Sequence, residues 1–80
     1  MKVRFYGKLA EFFGSEREVS IGAPCSVEDM RRRLLTEHPE ATEALRNGRV
    51  RACIGDRIAS DTDIVPEGAE LEFLAPVSGG

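Results

Sequence analysis

Ser26-Val27-Glu28-Asp29-Met30-Arg31-Arg32-Arg33-Leu34-Leu35-Thr36-Glu37-His38-Pro39 carries the clearest helix signal in the chain, and the fold is read outward from it. Ser26 is a favoured N-cap, and Asp29 three positions later gives capping-box spacing. Glu28 is also well placed, at the positive end of the helix dipole. Val27, Met30 and Leu34 recur at i, i+3 and i+7 and mark one buried stripe, with Leu35 beside it. Pro39 biases its predecessor away from helical backbone and ends the helix near His38, after about three turns.

Upstream of this helix the hydrophobic period is two. Lys2-Val3-Arg4-Phe5-Tyr6 alternates, so Val3 and Phe5 face the core while Arg4 and Tyr6 face away. Leu9, Phe12 and Phe13 then fall at helical spacing before Gly14 and Ser15, which predicts a short helical turn over the core. Residues 17 to 21, Arg-Glu-Val-Ser-Ile, alternate again and return as the second strand of a hairpin. Downstream, residues 40 to 46 have room for one more short helical turn before Asn47-Gly48. Val50, Ala52 and Ile54 define a third strand, and Gly55-Asp56 turns it into a short fourth strand over Arg57 to Ala59. Val65-Pro66-Glu67-Gly68 suits a type I turn, with proline second and glycine fourth. Glu70 to Leu74 forms the last strand, with Leu71 and Phe73 inward and Glu70, Glu72 and Leu74 outward. The expected class is therefore α+β: a mixed sheet with one main helix across one face, as in the ubiquitin-like β-grasp fold. A ferredoxin-like split βαβ unit needs a second full helix, which residues 40 to 46 are too short to supply. Residues 1 to 74 make this domain, and residues 75 to 80 are read as a flexible tail.

Length and composition narrow the function. Eighty residues make one domain, burying only about 60% of its unfolded surface, which favours a carrier or subunit over a self-contained enzyme. Apolar residues at 41% and charged residues at 31% are the balance of a globular domain that folds. A net charge of -3 and a pI near 5.1 offer no general attraction to nucleic acid or anionic membrane. The chain has no apolar run of membrane-spanning length and no signal-peptide pattern, so a cytoplasmic location is expected. Cys25 and Cys53 stand far apart, with His38 the one histidine, so neither a four-ligand zinc site nor a four-cysteine cluster is available within one chain. Two reduced thiols are expected, and neither is assigned a function.

No nucleophile, base and orienter come together in a recognisable pattern, and no phosphate-binding glycine motif is present. His38 reads as a surface residue at a helix end. Arg31, Arg32 and Arg33 read as a solvated helix face, with Glu28 and Asp29 four positions before Arg32 and Arg33. The chain bears no cofactor motif, and nucleotide must come from a partner.

The chemistry concentrates at the end of the chain, Ala75-Pro76-Val77-Ser78-Gly79-Gly80. Pro76 ends the sheet ladder, and from there an extended tail reaches up to about 17 Å. Gly79 and Gly80 have no side chains, so their backbone fits a channel too narrow for other residues and can bring the α-carboxylate of Gly80 into another protein's active site. Tyr6 and Leu74 are apolar at outward positions of the first and last strands, which are parallel neighbours in a β-grasp sheet. With Ile58 on the fourth strand they form a candidate docking patch.

Val3-Arg4-Phe5-Tyr6-Gly7, Leu9-Ala10-Glu11-Phe12-Phe13-Gly14, Ser26-Val27-Glu28-Asp29 and Phe73-Leu74-Ala75-Pro76-Val77-Ser78-Gly79-Gly80 together resemble the small subunits of molybdopterin synthase, the sulfur carriers of molybdenum-cofactor biosynthesis. The resemblance covers the whole chain and is strongest at its end. It implies that an ATP-using adenylating enzyme of the ubiquitin-activating type activates Gly80, that a persulfide donor supplies sulfur, and that the product is a C-terminal thiocarboxylate. It implies further that Pro76, Val77, Ser78 and Gly79 thread into the large synthase subunit, in a heterotetramer, where sulfur passes to cyclic pyranopterin monophosphate. Tyr6, Ile58 and Leu74 match the family's apolar docking face. Leu74-Ala75-Pro76 stands where the family often has Phe-Pro-Pro, and Gly68-Ala69-Glu70 where it often has Gly-Asp-Glu; these changes bear on partner contacts. Sulfur carriers of thiazole or cysteine synthesis share the fold and diglycine, and a ubiquitin-like modifier or interaction module is the alternative from another class.

Overall fold

The computed structural model describes residues 1–22 and 24–75. Alternating burial along β1 (Lys2–Tyr6) places Val3 and Phe5 inside, and β1 is paired along both of its edges. On one side it runs antiparallel to β2 (Glu16–Glu18), with α1 (Leu9–Phe13) between them in sequence. The short β3 (Cys25–Ser26) leads into α2 (Val27–Glu37), which is followed by a 3₁₀ turn (Pro39–Ala41) and α3 (Thr42–Leu45). β4 (Arg51–Ile54) and β5 (Arg57–Ala59) form a hairpin, then come β6 (Ile64–Val65) and β7 (Leu71–Leu74). β7 inserts between β1, to which it is parallel, and β4, to which it is antiparallel, giving the order β2-β1-β7-β4-β5. This is the β-grasp, α+β arrangement expected from the strand and helix order.

The helix that decided the reading is capped as its sequence requires. The Asp29 N–H donates to Ser26 Oγ at 3.0 Å, and the Ser26 N–H donates to Asp29 Oδ2 at 3.2 Å, so two otherwise orphaned donors are satisfied. Val27, Met30 and Leu34 are fully buried and join Val3, Phe5, Leu71 and Phe73 in one core. Phe5 is the hinge of that core, stacked on Phe13 at 4.6 Å between centroids and on Phe73 at 5.9 Å. Removing the cap should cost stability without disturbing this packing. Ser26→Ala is expected to lower the unfolding free energy by about 1 kcal/mol, read as a shifted urea midpoint with unchanged slope. An unmoved midpoint would show that the reciprocal hydrogen bonds contribute nothing net.

Several local expectations are corrected. The second strand spans Glu16–Glu18 instead of residues 17 to 21, and just past it the Val19 N–H donates to Met1 O at 2.8 Å while the Met1 amine donates back to Val19 O at 2.9 Å. A separate two-stranded pairing, β3 with β6, matches Cys25 to Val65 and Ser26 to Ile64 and ties the start of α2 to the loop before β7. Two-residue strands have too few alternating positions to show a period. The turn before β7 is shifted by one residue: the Ala69 N–H closes onto Pro66 O at 3.1 Å, and Gly68 occupies the third position with φ +85°, where a side chain would be strained. α2 begins at Val27 and ends at Glu37, with the His38 N–H donating to Leu34 O at 2.9 Å.

The arginine run also divides differently. Arg31 is buried, not solvated: its guanidinium lies 5.0 Å above the Phe73 ring, Nε donates to Asp61 Oδ1 at 3.0 Å, and Nη1 donates to Leu45 O. The position is forced by geometry, since Arg31 directly follows Met30 and shares the edge of the buried stripe with Leu34 and Val27. Arg32 pairs with Glu28 at 3.2 Å as its spacing predicts, whereas Arg33 pairs with Glu37 at 3.3 Å because Asp29 is occupied by the cap.

Candidate functional site

The outward face of the sheet is set by strand register. Tyr6 is paired directly with Leu74 across the parallel β1–β7 ladder, and Leu74 with Arg51 across β7–β4. The next row runs Glu16, Arg4, Glu72, Cys53, Ile58, one residue from each of the five strands. Tyr6 and Ile58 are 41% and 71% exposed, and Leu74 is half-buried. Two of the three docking residues expected from the sequence are thus immediate neighbours. Ile58 lies two strands from Leu74 and in the next row, where it pairs with Cys53.

Cys53 was not singled out by sequence reasoning. Its position was available there, because a two-residue turn at Gly55-Asp56 pairs Ile54 with Arg57 and so Cys53 with Ile58, both outward. Burial, and after it the charge of Glu72, pushes the Cys53 thiol above its ordinary range. The neutral thiol is a poor nucleophile and serves here as a small apolar surface. Cys25 is buried in the core, its thiol also raised chiefly by burial.

Polar groups hold the patch in place. The Tyr6 hydroxyl donates to Glu72 Oε2 at 3.0 Å, which fixes the ring over the outer face. Arg4 stands between Glu16, 3.6 Å from its Nε, and Glu70, 3.8 Å from its Nη2. The neighbouring Tyr6 side chain, then the charge of Glu70, holds its guanidinium above the usual arginine range. An apolar centre with a charged rim is the composition of a protein-docking surface.

The exit of the chain lies at the same place. Ala75 follows Leu74 and packs, half-buried, against the core edge. Gly7 abuts it: a Cβ on Gly7 would meet Ala75 O at 3.1 Å and Ala75 Cβ at 3.3 Å. Pro76, Val77, Ser78, Gly79 and Gly80, the tail residues expected to carry the chemistry, lie outside the described residues.

Elsewhere the charged groups are engaged with one another. A cleft of about 290 Å³ between α2, α3 and β4 is lined by Arg31, Arg46, Arg51 and Asp61. Arg46 forks onto Glu28 with two 2.8 Å hydrogen bonds, holding that carboxyl below the usual range, and Arg51 Nη1 donates to Gly48 O at 2.9 Å. His38 is half-buried instead of lying free on the surface. Its ring meets Phe13 edge-on at 5.3 Å, with Arg17 Nη1 at 2.6 Å from Nε2 and Glu40 Oε2 at 3.1 Å from Nδ1. Because arginine only donates, Nε2 accepts and Nδ1–H donates to Glu40, so both ring nitrogens are occupied. Among the described residues no serine or threonine hydroxyl is hydrogen-bonded to a histidine or carboxylate side chain, and no helix is long and apolar enough to cross a membrane.

A model of the ThiS family matches residues 3–80, from the first strand through the terminal diglycine. The chain belongs to the ThiS family. Within reach of this ThiS-family chain is the molybdopterin synthase sulfur carrier subunit of Escherichia coli (strain K12), 28% identical over 81 residues that cover 100% of this chain and 99% of the relative. Two crystal structures of small archaeal modifier protein 1 from Haloferax volcanii share the fold. The first has a TM-score of 0.84 at 22% identity, covering 99% of this chain and 97% of the other, and the second 0.81 at 19% identity, covering 95% of each. A Pyrococcus furiosus chain assigned as molybdopterin converting factor subunit 1 superposes with a TM-score of 0.78 at 18% identity, covering 95% of each chain.

Proposed function

We propose that this ThiS-family chain is a sulfur carrier whose reacting group is the Gly80 α-carboxylate, and that it is the small, sulfur-donating subunit of a molybdopterin synthase. The observation that carries the reading is the family match running through Gly80, in a fold whose parallel β1–β7 pairing puts the apolar Tyr6–Leu74 pair beside the tail's exit. The full-length likeness to the Escherichia coli sulfur carrier subunit supports the choice of acceptor.

The chemistry follows from what a bare carboxylate cannot do. It is a poor electrophile, so a partner adenylating enzyme of the ubiquitin-activating type joins it to ATP with release of pyrophosphate. The terminal sulfur of a persulfide donor attacks the acyl adenylate and AMP leaves. A thiol then cleaves the resulting acyl disulfide and frees the thiocarboxylate. One difficult step becomes several easier ones, as in covalent catalysis. The carrier itself binds no cofactor in this scheme; the nucleotide belongs to the activating enzyme. Docked through Tyr6, Leu74 and Ile58 on the large subunit, the chain passes Pro76 to Gly80 into that subunit's active site, where the ionised sulfur attacks cyclic pyranopterin monophosphate.

A second reading shares the activation step and differs in the acceptor. The likeness in fold to small archaeal modifier protein 1 favours a modifier, whose adenylated Gly80 forms an isopeptide bond with a lysine amine. Intact mass after incubation with ATP, the activating enzyme and a persulfide donor separates the two. A gain equal to exchanging one oxygen for sulfur, located at Gly80, is expected. An unchanged mass beside a control carrier that reacts, together with conjugates of high molecular weight in cells, would replace the carrier reading by the modifier.

A further inference from the structure

Gly7 joins the two parts of the proposed machinery. It follows Tyr6, the exposed aromatic of the outer face, and its own surface is the wall against which Ala75 leaves β7. Its backbone has φ +67°, and its carbonyl accepts the Ala10 N–H at 3.1 Å, so it also starts the turn into α1. Two separate constraints therefore demand glycine here. The positive φ strains most side chains, although asparagine tolerates it. The contact with Ala75 refuses any Cβ, asparagine's included, unless Ala75 moves by some tenths of an ångström.

Gly55 has the first constraint without the second. Its φ is +63°, yet nothing lies within 4 Å of the position a Cβ would take. The pair separates backbone strain from the contact with the chain's exit.

We infer that Gly7 is a positioning residue for the carboxyl-terminal tail: the absence of a Cβ lets Ala75 leave the sheet in register with the docking face. The inference rests on the sulfur-carrier reading, because only a tail that must reach a partner's active site needs a fixed departure. The sheet face fixes the domain on the partner and a narrow channel fixes the tail, so the segment between them has little slack. Displacements of about 1 Å at a reacting group cost up to about a hundredfold in rate.

The test takes the full chain as the varied substrate of its activating enzyme, with Gly7→Ala, Gly7→Asn, Gly55→Ala and Gly55→Asn compared by thiocarboxylate formed. Both Gly7 variants are expected to lower kcat by about ten- to a hundredfold with KM unchanged, since Tyr6 and Leu74 still dock. Both Gly55 variants are expected to keep the wild-type kcat. In the isolated protein, the Ala75 amide resonance should shift in Gly7→Asn and stay in place in Gly55→Asn. A wild-type kcat for Gly7→Asn would reduce the requirement at Gly7 to backbone strain and overturn the inference. So would equal slowing at Gly55, a rise in KM alone, or loss of the fold in both Gly7 variants. A wild-type chain that accepts no sulfur, while the Ala75 resonance still moves as expected, would fail the carrier reading and leave the geometry at Gly7 standing.

Discussion

A chain lacking Gly80 alone is expected to accept no sulfur and to unfold at the same urea concentration as the full-length protein. The two halves of this result have different origins. Among the described residues the fully buried large side chains lie between Val3 and Phe73, and the last strand ends at Leu74, so the core closes well before the deleted residue. Stability should therefore be untouched. Gly79 would still end in a carboxylate, but one residue, about 3.5 Å, short of the reacting position. The chemistry of activation depends on that atom's placement and not on its type, and effective concentration at a reacting centre is lost steeply with distance. Single-turnover assays with the activating enzyme, alongside urea denaturation, check both halves. Transfer at the full-length rate would remove Gly80 from the mechanism, and a lowered midpoint would show that the tail belongs to the fold.

How much of this was legible in the sequence depends on how many residues carried each signal. The eleven residues of α2 present three turns of stripe and a complete capping box, so both its ends and its buried face could be read before the structure. β1 and β7 each supply an alternation long enough to place Val3, Phe5, Leu71 and Phe73 inside, and the pairing of Tyr6 with Leu74 follows from the parallel neighbours that the element order implies. β3 and β6 were invisible because two residues show no period. Arg31 was misplaced for a related reason: charge outweighed periodicity in the reading. A guanidinium enters a core edge when it finds a carboxylate, a carbonyl and an aromatic face, and Asp61, Leu45 and Phe73 lie 14 or more residues away in the chain. Cys53 is the opposite case. Its outward position was implied by the alternation of the third strand, but a cysteine suggests metal or redox chemistry before it suggests a surface. The role of Gly7 needed coordinates, since sequence shows that a glycine is present and not what its missing Cβ would strike.

Leu74→Asp is expected to weaken binding to both the large subunit and the activating enzyme by about thirtyfold or more, the loss of a central interface contact worth about 2 kcal/mol. Leu74 sits one residue before the exit, beside Tyr6 on one strand and Arg51 on the other. In the free protein the introduced carboxylate faces Arg51 across the β7–β4 pair and stays partly in water, so the fold should tolerate it. Once pressed against an apolar partner surface it must give up its hydration, and Glu72 two residues earlier on the same face adds like charge. Ile58→Asp tests the limits of the same patch. At 71% exposure and two strands from Leu74, Ile58 belongs to the rim, where charges are less completely desolvated, so its loss in affinity should be several-fold smaller. Titration calorimetry against each partner, with thermal melts of the free variants, reads both. If the Ile58 variant binds more weakly than the Leu74 variant, the contact is centred on the β4–β5 hairpin. The tail would then leave from the margin of the interface, and Gly80 would need another route into the partner's active site. Unchanged affinity in both variants would move docking off this face entirely.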